Sequence, residues 1–166
     1  MSKIVIEKSD FKNDVVINTK LHDLLDKIDV SNIIWIFDIH NTVEHDGKVD
    51  KNFLKLITHL IKMKYIVLML SYDGNAARID ENEAILNKED VFKNIPKIFI
   101  KIRDKGRVIK SISNIYKTSK IVFIDDKRAN ITSARNQVGD NLYAIHYKGD
   151  FRHLLDKLSH IGHKFE

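Results

Sequence analysis

The chain alternates between short, densely apolar runs and longer stretches in which apolar residues recur every three or four positions. Ile33-Ile34-Trp35-Ile36-Phe37, Tyr65-Ile66-Val67-Leu68-Met69-Leu70 and Ile121-Val122-Phe123-Ile124 are apolar at successive positions, the pattern of strands covered on both faces of a sheet. Lys97-Ile98-Phe99-Ile100-Lys101-Ile102-Arg103 alternates instead, which predicts an edge strand with one wetter face. Leu142-Tyr143-Ala144-Ile145-His146 supplies a last strand. Helical periodicity follows each run. Phe53, Leu54, Ile57, Leu60 and Ile61 line one face behind Asp50, a good N-cap, in a helix running to about Met63. Further helices are predicted from Ala76 to about Leu86 and from Lys105 through Ile115. The next follows Asp125-Asp126 and runs through about Gln137, and a closing helix turns Phe151, Leu154, Leu155 and Leu158 inward. The order βαβαβαβαβα predicts an α/β fold, a doubly wound parallel sheet in a single domain over residues 32–166.

Residues 1–31 read as an extension packed on that core. Ile4-Val5-Ile6 and Val15-Val16-Ile17 are β-prone and form a hairpin in this reading, and Leu21, Leu24, Leu25 and Ile28 follow at helical spacing behind Thr19 as N-cap. Glu44-His45-Asp46-Gly47 is a turn with Asp-Gly at its tip.

Composition narrows the chemistry. A length of 166 residues suits one domain, and the absence of cysteine excludes a disulfide framework, a thiol nucleophile and a Cys-based zinc site. No apolar run reaches bilayer length and no signal-peptide pattern opens the sequence, so a soluble, cytoplasmic protein without a membrane partner is expected. The net charge of +5 favours anionic partners but equals ordinary Lys-rich solubility. Abundant Ile, Lys and Asn with a single Pro resemble AT-rich coding, as in a virus or a low-GC microbe.

The apolar strands end in polar groups: Asp38, Ser71 and the pair Asp125-Asp126, while Lys105 stands at the head of a helix. Parallel strands bring such ends to one edge of a sheet, where α/β proteins bind ligands. Each residue taken alone is a cap or a solvated charge. Together, carboxylates, a hydroxyl and an ammonium at successive strand ends suit a divalent cation and a phosphate.

Asp38-x-x-x-Thr42, Ser71, Lys105 and Ile124-Asp125-Asp126-Lys127-Arg128-Ala129-Asn130-Ile131, with Ala134 and Gly139 beyond, resemble the motifs of the haloacid-dehalogenase-like phosphatases and phosphotransferases. The resemblance covers about residues 33–146. It implies a Mg²⁺-dependent phosphomonoester hydrolase in which Asp38 is the nucleophile and carries an aspartyl-phosphate. Mg²⁺ is then held by Asp38, by the backbone carbonyl of His40 and by Asp125, with Asp126 ligating or orienting water. Lys105 neutralises nucleophile and phosphate, with Lys101 as its rival. Ser71 and its neighbour Tyr72 contact substrate, Thr42 and Asn41 shape the loop, and Asn130 supports Asp125.

Two departures from the family pattern stand out. Asn41 replaces a frequent Gly, and Asn is the side chain that best tolerates the left-handed backbone region. His40 replaces the Asp that serves these phosphatases as acid and base; free imidazole, with a pKa of about 6.5, also exchanges protons near neutrality. His40 paired with His45 in a zinc site is an alternative, though the oxygen ligands beside them suit Mg²⁺ better. His160 and His163 read as solvated. No segment between the motifs is long enough for a cap domain, so an open site is expected, suited to a phosphate on a macromolecule. Lys97, Lys101, Arg103, Lys105, Arg107 and Lys110, with Phe99 and Tyr72 as stacking faces, suggest a nucleic-acid end. A phosphoprotein, a small metabolite, or a non-enzymatic interaction module on the same scaffold are the competing readings.

Overall fold

The computed structural model describes residues 3–26, 28 and 31–161; His163 lies outside them. The β-branched and aromatic runs form the strands of one sheet: β1 (Lys3–Ile6), β2 (Ile33–Phe37), β5 (Ile66–Tyr72), β6 (Lys97–Ile100), β7 (Lys120–Asp125) and β8 (Leu142–His146), in the order β1-β6-β5-β2-β7-β8 and parallel throughout. β3 (Glu44–His45) and β4 (Lys48–Val49) make a separate two-residue hairpin. Asp46 and Gly47 both take positive φ at its tip, the geometry that the twist of a hairpin selects.

Among the described residues six α-helices cover the sheet: α1 (Asp14–Leu25), α2 (Lys51–Lys62), α3 (Ala76–Asn87), α4 (Lys105–Ile115), α5 (Arg128–Val138) and α6 (Phe151–Ser159). Alternate residues of each strand point to opposite faces, so β2 sends Ile34 and Ile36 toward α1, α4 and α5, and Trp35 and Phe37 toward α2, α3 and α6. Phe53 of α2 locks the second face through edge-on contacts with Phe37, Tyr147 and Phe151 at 6.0, 5.0 and 5.2 Å between ring centroids. This is the doubly wound, Rossmann-like arrangement that the alternating elements predict. From β2 the chain runs outward to β5 and β6, then returns to β7 and β8 on the other side. The carboxyl end of β2 is therefore a topological switch point, where the connections diverge and leave a crevice.

Several local expectations are corrected. Val15-Val16-Ile17 is helical, because the Asn13 side chain accepts from the amides of Val15 and Val16 and so starts α1 there. Thr19 is consequently interior to the helix, its hydroxyl donating to the carbonyl of Val15. Ile17 precedes Leu21, Leu24 and Leu25 on the same buried stripe. The strand at 97–103 stops at Ile100, and it is not an edge strand: β1 pairs along it in register, Lys3 opposite Lys97 and Ile6 opposite Ile100. The strand after residue 65 continues through Ser71 and Tyr72. Leu155 faces solvent.

Closing the edge with β1 buries Lys97, which is 1 % exposed and donates its ammonium to the carbonyls of Phe92 and Ile95. Burial holds its pKa below the ordinary 10.5, against an opposing pull from Glu83. Between the depressed folded value and the ordinary one the unfolded chain binds more protons, so this lysine makes stability rise with pH across that interval. Denaturant unfolding at pH 8 and at pH 10 is expected to show the parent gaining stability relative to Lys97→Met as pH rises. A difference that stays constant contradicts a depressed lysine.

Candidate active site

Asp38 follows directly on β2 and extends its pairing, its amide donating to the carbonyl of Ile124 at 3.0 Å. The chain then turns sharply. Thr42 and Glu44 donate their amides back to the carbonyl of Ile39, and Asn41 adopts φ of +59°, a left-handed backbone that Asn tolerates. The turn buries Thr42, whose hydroxyl donates to Asp38 Oδ2 at 3.0 Å. From the far side, Lys105, the first residue of α4, places Nζ 2.7 Å from Asp38 Oδ1 and 2.7 Å from Asp125 Oδ2. Asp38, Lys105 and Asp125 are all buried. Asp125 is held further by the amide of Lys127 at 2.8 Å and by Asn130 Nδ2 at 3.0 Å.

The close approach of α4 depends on Gly106. A Cβ there would stand 2.8 Å from the backbone carbon of Ser133 on α5, and 2.5 and 2.7 Å from the side chains of Ser133 and Gln137. Gly106→Ala forces the two helices apart at the turn that carries Lys105. A loss of about 1–3 kcal/mol is expected by denaturant titration, the usual range for overpacking; an unchanged midpoint contradicts the close-packing role.

Carboxylate oxygens of Asp38, Asp125 and Asp126 lie within 4.8 Å of one another, the one such cluster of potential metal ligands among the described residues. Burial pushes the Asp38 carboxyl above its ordinary value; Lys105 pulls it down and Asp126 adds to the push. Asp125 is likewise raised by burial and by Asp38, against Lys105. Burial works against the Lys105 ammonium too, but the two carboxylates outweigh it and leave it more firmly protonated than a free lysine. Two buried acids share one ammonium and Asp126 stands beside them, and the surplus negative charge with only oxygen donors fits a hard divalent cation such as Mg²⁺.

Ser71 is buried near the end of β5, its hydroxyl beside the carboxyl of Asp73. The sequence position of Asp73 does not single it out, since Tyr72-Asp73-Gly74-Asn75 reads as a loop. It is buried, accepts from Asn82 Nδ2 at 2.9 Å and lies 3.9 Å from Arg78 Nε. Burial raises its pKa, opposed by Asn82, Ser71 and the charges of Arg78 and Lys105. Glu44 is the second acid that the turn pattern concealed: buried, it sits 3.3 Å from His40 Nδ1 and accepts from the Gly47 amide. The His40 side chain is 53 % exposed, outside the packed carboxylates.

Other residues named from the sequence lie elsewhere. Tyr72 packs with the core on the α1 and α4 side, with the Arg103 guanidinium 4.8 Å from its ring centroid. His45 faces Asp50 rather than His40. The Lys97–Lys110 set does not form one basic surface. Lys97 and Phe99 are interior, Lys105 is enclosed by acids, and Lys101 and Arg107 are paired with Glu7 and Asp14.

Neither a protein-family model nor a curated protein matches the sequence. Solved structures share the fold. An uncharacterized protein from Corynebacterium glutamicum superposes with a TM-score of 0.61 at 14 % identity over 82 % of this chain and 99 % of that one. The N-terminal part of a Bacteroides fragilis protein, containing a phosphatase domain and complexed with Mg, superposes with a TM-score of 0.58 at 15 % identity over 86 % of this chain. The match spans 42 % of that Bacteroides structure. At such identities the likeness is one of fold.

Proposed function

We propose that the chain is a haloacid-dehalogenase-like, Mg²⁺-dependent phosphomonoester hydrolase that works through an aspartyl-phosphate on Asp38, with an open site suited to a phosphate on a macromolecule. The observation that carries this reading is the Lys105 ammonium held 2.7 Å from both Asp38 and Asp125 at the switch point of the sheet. The Mg-complexed phosphatase domain of like fold supports it.

A carboxylate attacking a phosphate dianion meets like-charge repulsion, and the site supplies what that step needs. Lys105 keeps Asp38 aimed and places positive charge where phosphoryl oxygens arrive. The Thr42 hydroxyl occupies Asp38 Oδ2, and Lys105 holds Oδ1. Asp38, Asp125, Asp126 and the His40 carbonyl would hold Mg²⁺, which when bound neutralises phosphate charge. Ser71, buried beside Asp73, turns its one hydroxyl proton from that carboxylate to a phosphoryl oxygen. As Asp38 bonds to phosphorus, the ester P–O bond breaks and the leaving oxygen takes a proton from His40. Water, giving its proton back to His40, then attacks phosphorus and releases phosphate and the free carboxylate. With Nδ1–H directed at Glu44, His40 Nε2 is the nitrogen free to exchange that proton.

The test is Mg²⁺-dependent hydrolysis of an aryl phosphate by the parent and by Asp38→Asn. Turnover in the parent alone supports the reading; equal rates, or no turnover with Mg²⁺ in either, overturn it.

A further inference from the structure

The strongest unassigned feature is a cleft of about 700 Å³ along the free edge of β8. α5 covers one face of the sheet and α6 the other, so the groove between them has the whole of Leu142–His146 as its floor. Its rims carry Arg128, Arg135, His146, Lys148, His153 and Lys157, and no acid lines it.

No carboxylate offsets the charge there, although Arg135 donates to the carbonyl of Ala144 on the floor. On the opposite edge, Lys3, Lys20, Lys101 and Arg107 are each paired with a carboxylate. Among the described residues none of Arg128, Arg135, Lys148 and Lys157 has such a partner, and all four are exposed. The basic excess of the chain is thus uncompensated at this groove, where a polyanion gains most by displacing counterions.

One end of the cleft, at His146 and Arg128, adjoins the strand end that carries the carboxylates, although none of them lines it. His146 stands opposite Asp125 in the sheet, and its Nε2 lies 2.8 Å from the carbonyl of Asp126. Arg128 begins the helix that follows those acids. Rings of His146 and His153 lie among the cations, and Tyr143, packed on the core with Lys120 over its ring, lines the same cleft. Aromatic faces interleaved with cations suit the exposed bases of a single strand; a duplex would use the cations and leave the rings idle.

We infer that this cleft is the binding track for a single-stranded nucleic acid whose phosphorylated end enters the Asp38 site. The inference rests on the phosphomonoesterase reading for the reaction at that end, while the track itself is testable without it.

Anisotropy of a fluorescent, unphosphorylated single-stranded oligonucleotide reads the cleft alone, and aryl phosphate hydrolysis reads the carboxylates alone. The full chain is expected to bind the oligonucleotide with an affinity that falls as salt rises. Lys148→Glu with Lys157→Glu should weaken binding by about tenfold or more and flatten the salt slope, since two cations are reversed. The same variant should keep the parent rate on aryl phosphate while losing kcat/KM on a terminally phosphorylated oligonucleotide. Its urea midpoint, compared with the parent's, establishes that it is folded. Absent binding, binding indifferent to the charge reversal, a duplex bound as tightly, or poly-glutamate competing as well as the oligonucleotide would each overturn the proposal, the last pointing to an acidic protein surface.

Discussion

Lys105→Met is expected to destabilise the fold by about 3–5 kcal/mol, the cost of removing one partner from a buried ion pair. The reason lies in what stays behind. Asp38 is 6 % exposed and Asp125 is fully buried, and each accepts from the Lys105 ammonium at 2.7 Å. Asp125 keeps its bonds from Lys127 and Asn130, and Asp38 keeps Thr42, but neither carboxylate keeps a positive neighbour in contact. Methionine fills much of the lysine volume, so loss of packing is a small part of the effect. Added Mg²⁺ should recover part of the stability of the variant, since a cation that binds only the folded state shifts the equilibrium toward it. Adding Asp125→Asn should also recover part of it, giving a coupled rather than additive cycle. Denaturant unfolding of the variants, with and without Mg²⁺, makes the measurement. A loss below about 1 kcal/mol, the scale of an exposed pair, contradicts the description of a buried triad.

Asp38→Asn is expected to separate activity from folding. The amide is nearly isosteric: its oxygen can keep accepting from the Lys105 ammonium while its NH2 donates to the Thr42 hydroxyl oxygen, and Lys105 keeps Asp125, so stability should change little. The amide oxygen is a poor nucleophile, however, and no second carboxylate is placed to replace it: Asp125 is tied to Lys127 and Asn130, and Asp126 follows it at the start of the next turn. Loss of a nucleophile commonly lowers turnover by several orders of magnitude, so a fall on the order of 10⁴-fold or more is expected in kcat, with an unchanged urea midpoint. A fall of tenfold or less makes Asp38 a bystander.

The two substitutions probe residues that the sequence brings out for different reasons. Asp38 and Asp125 each end a wholly apolar strand, and such strands announce themselves locally; so do the Asp50 cap and the Asp46-Gly47 turn. The pairing of β1 with β6 is not local. Four residues at the start of the chain add to a strand more than ninety positions away, and nothing in either segment specifies the partner. Lys97 therefore reads as the wet side of an edge, although tertiary closure buries it. Asp73 and Glu44 are hidden for a related reason. Acids in short polar stretches that contain glycine carry the signature of a solvated turn, and only the packing of α3 and of the β3–β4 hairpin turns them into buried groups near the site. Basic residues mislead in the opposite sense. Lys97 to Lys110 are close in sequence and scattered in space, whereas Arg128, Arg135, Lys148 and Lys157 are scattered in sequence and meet around the edge of β8.

The most direct test of Asp38 as phosphoryl acceptor is to quench the parent enzyme in acid during turnover with Mg²⁺ and an aryl phosphate, and to locate the added phosphoryl group by peptide mass spectrometry. The expected result is one acid-stable, hydroxylamine-labile phosphoryl group on Asp38, absent from Asp38→Asn. A phosphoryl group on any other residue, or turnover that persists in Asp38→Asn, contradicts it.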